Sequence, residues 1–362
     1  MKKKPLQYAL GILVTALALW LSFRNLDWGT LTESFSRVNL FWVFISALTV
    51  LLSVLIVSWR WQILLKSKAR IPLAEMFRYN IIAQYVNIII PARFGELLRA
   101  WLAARKYALS GSYVLGTILI EKMIESYIVV IMAVVAPLIF TFQAKLKGHG
   151  AAVVVFLILI PLLVLVIWKR HFIMTMLTRL AAVFPAKVRD RILIFLEKGM
   201  EAFTLLKNIK MTLQVVFITF VVILSQVLTN LILFKAFGFK LSLFEAIILQ
   251  LVLLIGMSLP SIPGRIGVFE YTVFLALSMF DIEKSVALGY GLMLHVIAYI
   301  PKIILGMLFT AGLNISLKKA GTELDLDHLK KDSAAIIDPG PENPGTPGTP
   351  GTPGTPSKES NI

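Results

Sequence analysis

PARFGE, residues 91–96, interrupts one long apolar segment of this chain, and PGRIG, residues 263–267, interrupts another. Both stretches have the pattern Pro-x-Arg-x-Gly. An arginine at the centre of a membrane helix costs roughly 2.5 to 3.5 kcal/mol on insertion scales. We therefore expect Arg93 and Arg265 to serve a purpose that offsets this cost.

The composition around these two breaks indicates a polytopic helical membrane protein. Of the 362 residues, 58% are hydrophobic, and the mean hydropathy is +0.82, which is too apolar for a soluble domain of this size. The net charge of +16 favours cytoplasmic loops that touch anionic lipid over nucleic-acid binding. The chain has no Cys, and its four His show no metal-ligand spacing. We expect no metal and no cofactor.

Six segments are long enough to cross a hydrocarbon core about 30 Å thick. The first follows the basic N-terminus without a small-residue cleavage site, so we expect a retained span and not a secretory signal. The predicted fold is therefore all-α, with full spans at residues 6–23, 40–65, 113–142, 151–168, 211–234 and 287–313.

The two broken segments, residues 76–104 and 241–280, are predicted to form re-entrant helical hairpins. The apolar run 81–90 is about 15 Å long as a helix, roughly half the core thickness. Asn80, Gln84 and Asn87 share one face of this arm. Eight ordinary spans, two of them short and kinked by proline, are the alternative.

The distribution of Lys and Arg predicts the topology through the positive-inside rule. Lys2, Lys3 and Lys4 place the N-terminus inside, and Lys318 and Lys319 do the same after the last span. The two hairpins then enter from opposite faces, which is the inverted repeat of many transport folds. We expect residues 1–320 to form one multi-pass domain of the inner (plasma) membrane. Residues 321–362, with their Pro-Gly-Thr repeats, are predicted to be a disordered cytoplasmic tail.

Three motifs in this order resemble the lysylphosphatidylglycerol synthase transmembrane-region family, also called flippase-like domain proteins. They are residues 91–99, the pair Glu121-Lys122 and residues 263–270. The resemblance implies a membrane domain that handles a phospholipid or a polyprenyl-phosphate lipid. In aminoacyl-lipid members a soluble transferase domain accompanies it. Too few residues follow Lys319 for such a domain, so we expect no synthase activity and no catalytic residues.

The candidate site consists of the hairpin tips. Arg93 and Arg265, with the backbone amides of the helices that start near Gly95 and Gly267, are expected to hold a lipid phosphate. The alternative is that each arginine is neutralised inside the protein, by the carboxylates of Glu96, Glu121, Glu125 and Glu270. Residues assigned to the architecture of the tips are Pro91, Gly95, Pro263, Gly264 and Gly267.

Other polar residues in the spans have open roles. Arg99 is expected near the cytoplasmic interface, where it contacts a head group or extends towards water. Glu121 and Glu125 share a face and either carry a proton or balance Lys122 or an arginine. A satisfied core role for His295 and an interfacial position for Lys302 are the simpler expectation, and a shared cavity is the alternative.

The favoured function is a lipid transporter of the flippase type, with a membrane lipid as substrate and anionic lipid at the cytoplasmic face. One alternative is an accessory or lipid-modifying protein that presents a head group to a separate transferase. A small-anion secondary transporter is the other alternative. The sequence lacks G-x-S-x-G, P-loop and dinucleotide motifs.

Overall fold

The computed structural model describes residues 4–90, 94–142, 204–257 and 261–312, with the backbone alone at 4–10, 130 and 132–142. That part of the chain is all-helical and contains no strand. A 3-10 turn at Thr204–Lys207 precedes α7, and a second at Pro263–Arg265 lies between α8 and α9. The α-helices are α1 (Lys4–Phe23), α2 (Trp28–Ser36), α3 (Leu40–Leu65), α4 (Leu73–Ile89), α5 (Phe94–Lys106), α6 (Gly111–Phe142), α7 (Ile209–Ala236), α8 (Leu243–Gly256), α9 (Val268–Ser278) and α10 (Lys284–Gly312).

Among the described helices, α3, α7 and α10 are long and apolar enough to cross a membrane. The predicted spans at 6–23, 113–142, 211–234 and 287–313 correspond to α1, α6, α7 and α10 within a few residues, and 40–65 coincides with α3. The predicted span at 151–168, the basic stretch after it and the tail at 321–362 lie outside the described residues.

The surface of α3 reverses the pattern of a soluble helix, which exposes its polar face and buries its apolar face. Its exposed residues form one apolar stripe, namely Phe41, Phe44, Leu48, Leu52, Leu55 and Trp59. Its buried residues include Ser46, Thr49, Ser53, Ser58 and Arg60. This arrangement requires an apolar surrounding, because water would not favour so large an exposed stripe.

The helix α2 lies between the predicted spans at 6–23 and 40–65, where no helix was predicted. Asp27 begins it by accepting hydrogen bonds from the backbone amides of Gly29 and Thr30. The side chain of Thr30 donates to the same carboxylate, and these bonds lower the pKa of Asp27. The N-cap residue is the sequence signal for this helix.

The described helices repeat one order of elements. In the first half, a long helix of 26 residues precedes short helices of 17 and 13 residues, and a helix of 32 residues follows. In the second half the lengths are 28, 14, 11 and 29 residues. The halves α3 to α6 and α7 to α10 therefore match element for element, and each Pro-x-Arg-x-Gly break lies between the two short helices of its half.

Close glycine contacts bring the two short helices of each half together. A Cβ atom on Gly95 would lie 1.9 Å from the backbone carbonyl oxygen of Ala83, so α5 touches the backbone of α4. A Cβ atom on Gly256 would lie 2.4 Å from the hydroxyl of Thr272, which brings α8 against α9. Both pairs need a residue without a side chain at the crossing.

The two halves pack against each other through α3 and α7, the most extensive helix pair of the molecule. Hydroxyl groups join them, with Thr49 Oγ1 2.8 Å from Thr229 Oγ1 and Ser53 Oγ 2.7 Å from Ser225 Oγ. Small hydroxylated residues let helices approach closely in lipid and hydrogen-bond across the interface. The turn at Pro263–Arg265 also packs against α4, so the second break contacts the short helix that leads to the first.

Candidate functional site

A cavity of about 330 Å³ lies between the two halves, where α3, α4, α7, α8, α9, α10 and the second break converge. One side of its wall is apolar and includes Val50, Val54, Leu253 and Leu294. The polar side carries hydroxyls and amides from both halves, and two cations, Arg265 and Lys302. Among the described residues that line it there is no carboxylate.

Arg265 belongs to the second break. Its φ of 57° is unusual for a residue with a side chain. Its neighbours Gly264 and Gly267, with φ of 74° and 85°, lie in the same left-handed region, which suits glycine. Together with Pro263 these residues form the tight turn that places Arg265 at the cavity wall.

Lys302 on α10 lines the same cavity, which agrees with the cavity alternative for this residue. The residue is only partly exposed, and its ammonium group has no hydrogen-bond or ion-pair partner among the described residues. Lys302 follows Tyr299 by three residues, so both side chains lie on the same face of α10. Tyr299 also lines the cavity.

Amide side chains form a connected row along the cavity. The amide of Asn230 donates to Gln250 Oε1 at 3.2 Å, and Gln250 donates in turn to Gln226 Oε1 at 2.7 Å. The sequence spacing already put Gln226 and Asn230 on one face of α7. Gln84 lines the cavity from α4 and makes no hydrogen bond within the protein.

Glu270 and His295 form a buried pair behind the wall of the cavity. The distance between Glu270 Oε1 and His295 Nδ1 is 2.5 Å, and Glu270 Oε2 accepts the backbone amide of Gly267 at 2.6 Å. His295 stacks against Tyr299 and Phe269, with ring centroids 4.2 and 4.7 Å apart. His295 is thus a satisfied core residue, as expected.

The backbone amides at both breaks already have protein partners. Gly95 N donates to Asn87 Oδ1 at 2.8 Å, and Gly267 N donates to Glu270. These two amides are therefore already hydrogen-bonded within the protein. In both halves a side chain accepts from a backbone amide at the start of the helix that follows the break. An amide without a partner would be costly inside a membrane protein.

A second polar cluster lies in the first half and is centred on Glu121 of α6. Its Oε1 accepts from Arg60 at 2.5 Å and its Oε2 from Arg99 at 2.9 Å, and all three side chains are buried. Arg60 also donates to Thr219 of α7. Arg99 is therefore held inside the protein by Glu121, and its side chain does not extend towards water.

Charges balance within this cluster. Lys122 Nζ lies 2.9 Å from Glu125 Oε2, and Arg99 lies 2.7 Å from Glu96 Oε2. Three cations and three carboxylates are thus gathered together, which is the arrangement that buried charges require. Glu121 and Glu125 both approach Arg60, at 2.5 and 4.0 Å, in agreement with their predicted shared face.

Sequence reasoning missed Arg60 as a site residue and counted it only towards the charge of the loops. Its position within α3, between Trp59 and Trp61 and before the helix ends at Leu65, was the available signal. Asn80 contributes to the same cluster by accepting from Arg99 at 2.7 Å and donating to Ser58 at 3.1 Å. The amides of α4 therefore lie in different surroundings: Asn80 joins the buried cluster, Gln84 lines the cavity, and Asn87 accepts from the amide of Gly95.

The predicted site residues thus divide between two places. Arg265 lines the cavity, with Glu270 directly behind it, whereas Arg99, Glu96, Glu121 and Glu125 belong to the buried cluster. Pro91 and Arg93 lie outside the described residues. No group of three His, Asp or Glu side chains in the described ranges is arranged to hold a metal ion.

The exposed apolar stripe of α3, its buried polar residues and the cavity with its two basic residues indicate a helical membrane protein. The chain belongs to the lysylphosphatidylglycerol synthase TM region family, whose model matches residues 8–306. Membership places it among membrane proteins related to lipid handling and agrees with the resemblance found in the motifs. No curated protein and no solved structure matches the chain.

Proposed function

We propose that this protein moves a phosphate-bearing membrane lipid across the bilayer and binds the lipid phosphate in the central cavity. One observation carries the proposal: Arg265 and Lys302 line this cavity, and no described carboxylate lines it with them. A site lined by basic side chains, with no described carboxylate in its wall, has the chemistry to bind an anion.

The cost of keeping Lys302 charged supports an anionic substrate. A charge at bilayer depth is normally paired, and here Lys302 has no partner within the protein. A phosphate in the cavity supplies the missing counter-charge. The buried cluster around Glu121 serves as a contrast, because each of its cations is already neutralised by a carboxylate.

The repeated order of helices supports a transport mechanism. In the proposed arrangement the two pairs of short helices are re-entrant hairpins that approach from opposite faces of the plasma membrane, with both termini cytoplasmic. Transport folds of this kind bind their substrate near the midplane, between the two repeats. Arg93 occupies the position in the first break that Arg265 occupies in the second, and we assign it the same substrate on sequence grounds.

The direct test measures transfer of a labelled phospholipid between leaflets of proteoliposomes that contain the purified protein. We expect Arg265→Ala to lower the rate at least tenfold, because the phosphate loses a charged partner in a low-dielectric site. Arg37→Ala is the matched control, since Arg37 is largely exposed and pairs only with Glu33. Equal transfer by wild type and Arg265→Ala, with both folded, would refute the assignment of the phosphate site.

A further inference from the structure

The helix α10 belongs to the second half in sequence, but it contacts both halves in space. Its early part packs on the second half, where His295 Nδ1 lies 2.5 Å from Glu270 Oε1 of α9. Its last part packs on α4 of the first half, where the rings of Phe309 and Phe77 have their centroids 6.3 Å apart. One continuous helix therefore links the two halves.

Glycines hold each part of α10 closely against its neighbour. A Cβ atom on Gly291 would lie 3.3 Å from Val273 Cβ on α9. A Cβ atom on Gly306 would lie 2.3 Å from Tyr85 Cβ on α4. Helices in lipid that approach each other at a residue without a side chain pack tightly along their backbones. The early part of α10 is thus tied to α9, and the last part is tied to α4.

Pro301 lies inside α10, between these two parts. A proline has no amide hydrogen, so its hydrogen bond to the carbonyl of Ile297, four residues earlier, cannot form. Its ring also crowds that carbonyl, and helices kink sharply at such positions. When the halves change their relative position, α10 must bend or lose one of its close contacts. The proline is the position where bending costs least.

The proline is also at the level of the cavity. Ala298 and Tyr299 precede it, Lys302 follows it, and all three line the cavity wall. A bend at Pro301 therefore moves Lys302 relative to Tyr299. The shape of the wall then depends on the angle between the two parts of α10.

We propose that Pro301 is the hinge between the two halves, and that residues 302–312 of α10 move together with α4 while the early part of the helix moves with α9. The hinge is a property of the fold, whatever ligand enters the cavity, and its link to lipid transfer rests on the proposed function. The alternative is a proline that sets one fixed bend in α10. The two interpretations differ in whether the angle at Pro301 varies.

The test measures distances between pairs of nitroxide labels by pulsed electron paramagnetic resonance, on the full-length protein in lipid nanodiscs. The chain has no Cys, so labels attach only to introduced cysteines. Leu308→Cys marks the last part of α10, Leu275→Cys marks α9 and Leu97→Cys marks α5, and all three positions are exposed. We expect a broad or two-peaked distribution for Leu308 to Leu275 and a narrow one for Leu308 to Leu97.

The variant Pro301→Ala supplies the missing amide hydrogen and stiffens the helix. We expect the distribution between positions 308 and 275 to narrow to a single peak, and lipid transfer in proteoliposomes to slow at least fivefold. Pro72→Ala is the matched control, because Pro72 is the N-cap residue of α4 and lies outside the helix interior. Its distances and transfer rate should equal those of the wild type.

A single narrow distribution between positions 308 and 275 in the wild type, or the same distribution in Pro301→Ala, would overturn the hinge. A variable distance between positions 308 and 97 would overturn it as well, since the last part of α10 would then slide on the first half. Narrowing by Pro301→Ala in a protein whose wild type transfers no lipid would support the hinge and refute the proposed function. Narrowing with an unchanged transfer rate would support the hinge and refute its link to transfer.

Discussion

Glu121 shows at the residue scale how this membrane domain neutralises buried charges. Its carboxylate lies between two buried guanidinium groups, and neither arginine is solvated. Removing one member of a buried ion pair costs about 3–5 kcal/mol, because the remaining charges lose their partner without regaining water. The main role of Glu121 is therefore to stabilise the fold by neutralising these arginines.

We predict that Glu121→Gln destabilises the protein by about 3–5 kcal/mol, measured by denaturant unfolding in detergent micelles. Glu33→Gln is the matched control, because Glu33 forms an exposed pair with Arg37, and exposed pairs contribute about 0–1 kcal/mol. Similar unfolding curves for the two variants would contradict the structural role of Glu121.

The sequence predicted which residues were polar and which shared a face, but it did not identify their partners. The spacing of Glu121 and Glu125, of Gln226 and Asn230, and of the amides on α4 follows directly from helical periodicity. Arg99 and Lys302 were assigned to the interface because a long cationic side chain near a helix end usually reaches water. Arg99 finds Asn80 and Glu121 on other helices, and Lys302 lines a cavity that several helices form, which periodicity does not reveal.

At the scale of the helices, the short pairs α4/α5 and α8/α9 depend on glycine contacts more than on apolar patterning. The Cβ of an alanine at Gly95 would meet the Ala83 carbonyl at 1.9 Å, well below any real contact. The Ala83 carbonyl oxygen is a backbone atom, so it cannot rotate away as a side chain can. The two helices would have to separate.

We predict that Gly95→Ala lowers the free energy of unfolding by about 3 kcal/mol. This is the upper end of the usual cost of forcing an extra methyl group into a packed core. The measurement is the apparent melting temperature with the monodisperse fraction on size exclusion. Gly111→Ala is the control, since a Cβ at Gly111 has no neighbour within 4 Å. A Gly95→Ala protein as stable as Gly111→Ala would show that the α4/α5 contact is looser than described.

Helix boundaries were predictable where a long apolar run ends in a capping or breaking residue. The span at 40–65 matches α3 because Asn39 caps its start. The second break was predicted from Pro and Gly, and it contains the positive φ angles that explain those residues. The helix α2 was missed because nine residues are too few for a clear periodic signal.

For the molecule as a whole, the sequence predicted an inverted repeat from two short motifs, and the described helices α3 to α6 and α7 to α10 follow one order of long and short elements. It could not predict that the halves join through hydroxyl pairs between α3 and α7. Serine and threonine are common in membrane helices, and which ones meet depends on tertiary packing. The cavity between the halves also depends on tertiary packing, because residues from seven separate elements form its wall.

The interface between α3 and α7 gives a test of how the halves move. In transporters built from repeats, access alternates when one repeat rocks against the other around a fixed site. Ser53 Oγ and Ser225 Oγ lie 2.7 Å apart, close to the length of a disulfide, about 2.05 Å. The chain has no Cys, so two introduced cysteines meet no native thiol in the same molecule.

We predict that the double variant Ser53→Cys/Ser225→Cys forms this disulfide on oxidation and then stops lipid transfer in proteoliposomes. Reduction should restore the rate, because only the covalent link between the halves has been removed. Ser53→Cys and Ser225→Cys alone are the controls and should transfer lipid equally under both redox conditions. Complete cross-linking with undiminished transfer would mean that α3 and α7 move as one body, and the moving parts would then be the short helices at the two breaks.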